Sequence, residues 1–245
     1  MRSLLIVLVS LSCLATAPTH AVVVVNPPRP ITHEVTVQPI IVSNDDGSNT
    51  SNYLTDTLNE PLILSEIREI WAQAGVAVNW LTPNSWNSTF ANAGNDGSAT
   101  RSTADFTAIP AAADAAGVSS TDPTFLDMYF LMVPPGTQPL STSQGRTRFG
   151  DDSMFIHLAD TGSFGRPLPN DVGRFLSRSM AFTFDLRTND EIGNLLGPSL
   201  SSGERLNDTQ IATVLDSEYV TLIPEPASLV LLAPLLVVMA RRQRG

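Results

Sequence analysis

Hydrophobic residues recur along this chain in distinct patterns, and each pattern predicts a different element. The clearest is a helical period. Ile63, Ile67, Ile70, Trp71 and Ala74 fall at i, i+4, i+7, i+8 and i+11, one apolar face of a helix over Pro61–Ala74. Asn59 is placed to cap it, Pro61 suits its first turn, and Gly75 suits a left-handed stop. A second helix is predicted over Asp171–Phe184, capped by Asn170-Asp171, with Val172, Phe175, Leu176, Met180 and Thr183 as its stripe. A third, shorter helix starts near Asn207 and carries Ile211, Val214 and Leu215. Ile67, Ile70, Trp71, Phe175, Leu176 and Met180 are the expected core.

Strand patterns separate these helices. Val76–Leu81 reads as a strand, and Leu126–Val133 and Ser153–Ala159 read as buried ones. Val22 to Val42 opens with four valines, passes through Asn26-Pro27-Pro28-Arg29-Pro30 and continues in β-type alternation. Its prolines make it an extended arm or edge strand. Asn44-Asp45-Asp46-Gly47-Ser48-Asn49 is a solvated turn whose carboxylate spacing does not match an EF-hand loop. Ser85–Ser120, rich in Asn, Ser, Ala, Gly and Thr, reads as a long surface excursion. No internal repeat of solenoid or propeller length is present. Together these elements predict an α/β (α+β) fold, one domain with a mixed, mainly parallel sheet packed against the two longer helices.

The ends of the chain obey other rules. Met1-Arg2 precedes an apolar run from Leu4 to Leu14 and small residues to Ala21, the order of a secretory signal helix over 1–21. The single cysteine, Cys13, lies inside it, so the exported chain would hold no thiol and form no disulfide. At the other end, Ala227–Ala240 is a run of fourteen uncharged residues, after which come Arg241, Arg242 and Arg244. As an unbroken helix that run is ~21 Å long, against a hydrocarbon core of ~30 Å. The arginines retain such a tail on the cytoplasmic side. The expected organisation is a signal peptide (1–21), an extended arm and loop (22–58), the domain (59–222), and a C-terminal segment with a membrane helix and Arg tail (223–245).

Charge narrows the partners. All fourteen basic residues are arginine, and the chain carries a net −10 at pH 7. Between Val22 and Ile223 there are 10 arginines against 23 acidic residues. Nucleic acid needs a basic face, so no nucleic-acid partner is expected, and adsorption to anionic lipid is disfavoured.

Pro224, Glu225 and Pro226, the apolar segment Leu229–Met239, and Arg241, Arg242 and Arg244 together resemble the PEP-CTERM sorting signal of bacterial exported proteins. The resemblance implies an exosortase-type processing enzyme as partner. It also implies transient retention in the inner membrane, then release to the cell surface or extracellular matrix. A plain single-span anchor would account for the helix and the arginines but not for Pro-Glu-Pro.

A second resemblance covers Asn59 to Asp216. Ile70-Trp71-Ala72-Gln73-Ala74-Gly75 before the strand Val76–Trp80 is similar to the opening of zincin-type metallopeptidase domains, particularly the metzincin-like group. Met154-Phe155-Ile156-His157 resembles the strand before their active-site helix. Gly193–Ser199, Gly203–Leu206 and Gln210-Ile211 resemble the segment after that helix. Active members carry HExxH on it, two histidines one turn apart for zinc and a glutamate to activate water. In this register those positions are Arg178, Ser179 and Phe182, with Thr188 near the third-ligand position. Arginine has no lone pair to offer, serine is no carboxylate, and phenylalanine gives a metal nothing. Only His33 and His157 remain in the exported chain. The resemblance therefore implies a non-catalytic, pseudoenzyme domain with no metal and no cofactor.

Other chemistry fits less well. No Gly-x-Ser-x-Gly elbow accompanies His157, and Glu66 and Glu69, a carboxylate pair at i and i+3, fall on the polar side of their helix. Two other functions stay open: a secreted zinc peptidase using a non-standard ligand set, and a structural or adhesive exopolysaccharide-associated protein. A peptide ligand lying along the strand of Phe155 and His157 is a further expectation, since such binding uses backbone hydrogen bonds.

Overall fold

The computed structural model describes residues 26–54, 60–94, 102–132, 144–148, 151–158, 169–197 and 203–224, with backbone alone at 144–146 and 169–171. In chain order the elements are β1 (His33–Ser43), α1 (Glu60–Ala72), β2 (Val76–Trp80), β3 (Asn84–Asn87), α2 (Thr89–Ala93), α3 (Asp105–Ala116) and β4 (Leu126–Phe130). They continue with β5 (Gln144–Thr147), β6 (Ser153–His157), α4 (Pro169–Thr183), β7 (Gly193–Asn194), β8 (Gly203–Arg205), α5 (Asp208–Leu215) and β9 (Thr221–Leu222).

β1 organises the sheet. On one edge it pairs in parallel with β2 through His33–Val37 and with β3 through Ile40–Ser43. On the other edge it pairs in parallel with β4 and, at its first two residues, antiparallel with β9. β6 continues the sheet parallel to β4, and β5 closes that side antiparallel to β6. The sheet is thus mixed and mostly parallel, as the sequence pattern predicts.

Helices cover both faces. Val35 and Val37 of β1, Leu126, Met128 and Phe130 of β4, and Met154 and Ile156 of β6 enter a core shared with α1, α4 and α5. The alternate residues Ile40, Val42, Tyr129 and Phe155 enter a smaller core with α2 and α3. A strand covered on both faces buries both sets of its alternating side chains.

Three expectations need correction. The segment read as an arm or edge strand supplies the central strand of the sheet, His33–Ser43. Its internal proline misleads. Pro39 lies where the neighbour changes from β2 to β3, opposite the 81–83 connection, and Gln38 Nε2 donates to Pro39 O (2.9 Å) and Thr82 O (3.1 Å). The stretch 85–120, read as a surface excursion, contains β3, α2 and α3, and buries Trp86, Ala91, Ile109 and Ala113. Finally, Phe175 is only half-buried at the margin of the larger core, whereas Ile67, Ile70, Trp71, Leu176 and Met180 are buried within it.

The helix ends show how local sequence works. Gly75 has φ +73°, and a Cβ there would stand 2.7 Å from Pro30 O, so glycine serves both the left-handed stop and the close crossing of the chain. The crossing segment satisfies the end of α1: Arg29 N donates to Ala72 O (2.9 Å) and Thr32 N to Gly75 O (3.0 Å). Asn207 caps α5 through a capping box with Gln210. The predicted cap Asn59 lies outside the described residues. α4 begins at Pro169, so Asn170 and Asp171 fall inside its first turn rather than at the cap.

α1 and α4 meet at Trp71, which is fully buried, edge-on to Phe184 with ring centroids 5.0 Å apart. Trp71→Ala is expected to destabilise the fold by ~3–5 kcal/mol, measured by urea unfolding. A loss within ~1 kcal/mol would contradict this packing.

Candidate functional site

The helix that carries the motif positions is α4, and its apolar stripe turns Val172, Leu176 and Met180 into the core. The motif positions lie beside that stripe. Arg178 is half-buried, and its Nη1 donates to Leu195 O and Gly197 O, both at 3.0 Å. Burial holds its guanidinium below the usual arginine value. Arg178 thus ties the segment after the helix back onto α4. Its guanidinium carbon also lies 5.8 Å from the centre of the Phe182 ring. Ser179 is buried and its Oγ donates to Phe175 O (3.1 Å), one turn back along the helix. Phe182 is partly buried against the larger core. Thr188 lies beyond the helix end and is exposed.

These residues do not fit zinc. A guanidinium engaged with two carbonyls, a hydroxyl engaged with its own helix and a phenyl ring offer no ligand set. The histidines do not replace it. His33 begins β1, where Nδ1 lies 2.8 Å from Thr32 Oγ1, and His157 ends β6, where Nδ1 lies 3.2 Å from Leu131 O. β1, β4 and β6 run parallel in register, so the two histidines stand toward opposite ends of the sheet. Among the described residues no group of three or more His, Cys, Asp or Glu is placed to hold a metal ion.

The structure reveals a buried acid where the sequence pattern predicts a solvated one. Glu66 is 8% exposed, while Glu69 is exposed and accepts from Ser65 Oγ (3.2 Å). Glu66 lies between α1 and α4 against Gly173. A Cβ on Gly173 would overlap its carboxylate and stand 3.0 Å from its Cβ. The signal was available: Ile63, Glu66, Ile67 and Ile70 share one helical face, and a glycine inside α4 marks a close approach.

Behind α4, residues 193–197 and 203–211 form a polar clasp. Asn194 and Gln210 exchange side-chain amide hydrogen bonds (2.7 and 3.0 Å). Gln73 Nε2 donates to Ile70 O (3.0 Å) and Glu204 O (2.8 Å), and Gln73 Oε1 accepts from Leu206 N (3.2 Å). A cavity of about 500 Å³ beside this clasp is lined by Arg29, Gln73, Arg205, Leu206, Asp208 and Ile211, among others. Arg29 pairs there with Asp208 at 2.8 Å.

A second acidic group lies on the other face of the sheet. Asp127, buried at the start of β4, accepts from Ser120 N (3.1 and 3.3 Å). Burial pushes its carboxyl up to about 7; the Ser120 N–H opposes the shift, and Asp152 and Asp114 add to it.

Of the predicted sorting residues only Pro224 is described; it is exposed, two residues after the end of β9. Glu225, Pro226, Arg241, Arg242 and Arg244 lie outside the described residues, as does the signal segment 1–21. Among the described residues no helix is long and apolar enough to cross a membrane.

No protein-family model matches this sequence, and no curated protein matches it. Solved structures of similar shape include archaemetzincin from Methanopyrus kandleri, with a TM-score of 0.43 and 11% identity over 75% of this chain and 95% of that one. Metalloproteinase-II from Bacteroides fragilis has a TM-score of 0.40 and 9% identity over 78% of this chain. This chain spans 57% of that protein's length. Neither likeness assigns an activity to this chain.

The site yields two expected outcomes. Gly173→Ala should destabilise by ~1–3 kcal/mol by displacing Glu66, although alanine favours a helix by ~1 kcal/mol over glycine. In a chain that also carries Glu66→Ala, the overlap with the carboxylate is gone and only the 3.0 Å approach to the Cβ remains, so the same change should cost clearly less. A double-mutant cycle read by urea unfolding tests that coupling; purely additive effects would rule out the contact. For Asp127, the folded carboxyl binds its proton more tightly than the unfolded one. Its contribution to stability is complete below about pH 4 and is lost as pH rises through about 7. The Tm of Asp127→Asn should therefore vary less across that window than the wild type's, and an unchanged pH profile would refute the assignment.

Proposed function

We propose that this chain is an exported, sorted bacterial surface or matrix protein whose zincin-like domain does not catalyse. In this reading the signal segment 1–21 directs export. The uncharged run Ala227–Ala240 and Arg241, Arg242 and Arg244 hold the chain in the inner membrane. An exosortase-type enzyme processes it near Pro224-Glu225-Pro226, after which the domain acts by binding at the cell surface or among extracellular polysaccharide.

The observation that carries the non-catalytic part is the use of the α4 face. Arg178 holds Leu195 and Gly197 by their carbonyls, Ser179 bonds its own helix, and Phe182 packs against the core. Each has a structural task in place of the metal chemistry its position carries in zincins. A peptide ligand along the strand of Phe155 and His157 would need an open strand edge. β6, with Phe155 and His157, is paired on both edges, by β4 and by β5. Among the described residues β5 is the last strand in the sheet order, and its outer edge is where we propose an extended peptide would add.

The test is a metal and activity measurement on the full chain purified in detergent. No stoichiometric zinc and no chelator-sensitive peptide hydrolysis are expected. Stoichiometric zinc together with chelator-sensitive hydrolysis would overturn the reading and favour a peptidase with an unfamiliar ligand set.

A further inference from the structure

The segment leaving the domain does not hang free. β9 is hydrogen-bonded to the start of β1, with His33 opposite Leu222 and Glu34 opposite Thr221. Ile223 N donates to Thr32 O at 3.0 Å, so pairing continues to the residue before Pro224. This junction exposes apolar side chains that the rest of the fold does not cover: Ile31 is 46% exposed, Leu222 70% and Ile223 37%. Apart from Glu34, opposite Thr221, the two crossing stretches, Pro30–Glu34 and Val220–Pro224, contain no carboxylate or arginine in a domain rich in carboxylates. An exposed apolar patch at the root of an apolar tail marks an interaction surface.

The covalent geometry names the occupant. Only Glu225 and Pro226 separate Pro224 from the uncharged run Ala227–Ala240. Three residue steps span at most roughly 11 Å. If that run enters a bilayer, the patch lies within this distance of the membrane interface, and the sheet pairing up to Ile223 leaves little slack for the domain to swing away.

We infer that the junction formed by Ile31, Leu222, Ile223 and Pro224 is the domain's membrane-facing surface and rests on the phospholipid interface while the tail is in place. This inference rests on the proposed insertion of the tail. Tethering, not charge, supplies the contact. Asp151, Asp152 and Glu218 surround the nearby Tyr219 and would repel an anionic lipid surface. A tether this short raises the effective concentration of the interface at the patch, which opposes that repulsion. The far end of the sheet is held away: the turn containing Asp46 comes after the other end of β1, roughly 35 Å from the patch at the rise of an 11-residue strand plus its turn.

The experiment uses the full chain carrying Cys13→Ser and a single fluorophore-labelled cysteine, introduced as Leu222→Cys, Ile31→Cys or, as the distant reference, Asp46→Cys. Each is reconstituted into vesicles of phosphatidylethanolamine and phosphatidylglycerol containing spin-labelled lipid. Tail insertion is read separately, as resistance to extraction at alkaline pH. The expected result is an inserted tail with quenching at positions 222 and 31 several-fold stronger than at 46. An inserted tail with equal quenching at all three positions overturns the membrane-facing surface and leaves the tail reading intact. Complete extraction of the chain overturns the tail reading itself. Label–label quenching at 222 that persists in detergent without lipid assigns the patch to a second copy of the chain, and likewise overturns the inference.

Discussion

The fold depends on one constraint: β1 is paired along both edges and buried on both faces. Its first half meets β2, its second half β3, its middle β4, and its opening residues β9. No other described strand recruits partners from so many parts of the chain. The pairing places the chain's exit, after β9, beside its entry, before β1. It also sets the two layers apart, because alternate residues of β1 belong to different cores. Pro39 is tolerated in this setting because it falls opposite the gap between β2 and β3, where Gln38 takes over part of the hydrogen bonding.

On one face of this sheet, α1 and α4 are fitted by a small set of specific contacts. Trp71 meets Phe184 edge to face, Glu66 occupies the space that Gly173 leaves, and Arg178 draws residues 195–197 against the helix. Gln73 then joins the end of α1 to β8 and the start of α5. Polar side chains thus do the connecting, while aliphatic ones fill the interior. Of Arg178, Ser179 and Phe182, Arg178 belongs to this connecting set, whereas Ser179 bonds its own helix and Phe182 packs against the core.

Much of the larger architecture was legible in the sequence. The periodicity of Ile63, Ile67, Ile70 and Trp71 located α1 to within a residue or two, and the Val172–Met180 stripe located α4. Both helices present a narrow apolar face to one layer, and a periodic signal survives. β1 and the stretch 85–120 were harder, for opposite reasons. β1 has a proline whose harmlessness depends on which residues lie opposite it. In 85–120 the buried residues are few, small and spread over short elements, so Trp86, Ala91, Ile109 and Ala113 form no recognisable stripe.

What the sequence determined by itself was chemistry. Arg178, Ser179, Phe182 and Thr188 offer no imidazole, thiolate or carboxylate, the groups that ordinarily hold zinc, whatever shape the chain takes. The apolar run with its arginines likewise carries its own hydropathy and charge. Tertiary structure alone decided what those side chains do instead. That Arg178 finds two carbonyls, that Glu66 is buried by a glycine on another helix, and that β9 anchors the exit of the chain beside Thr32 all depend on residues distant in sequence. Ligand capacity is a property of a side chain's own atoms, whereas burial and partnership belong to the packed assembly and cannot be read from local order.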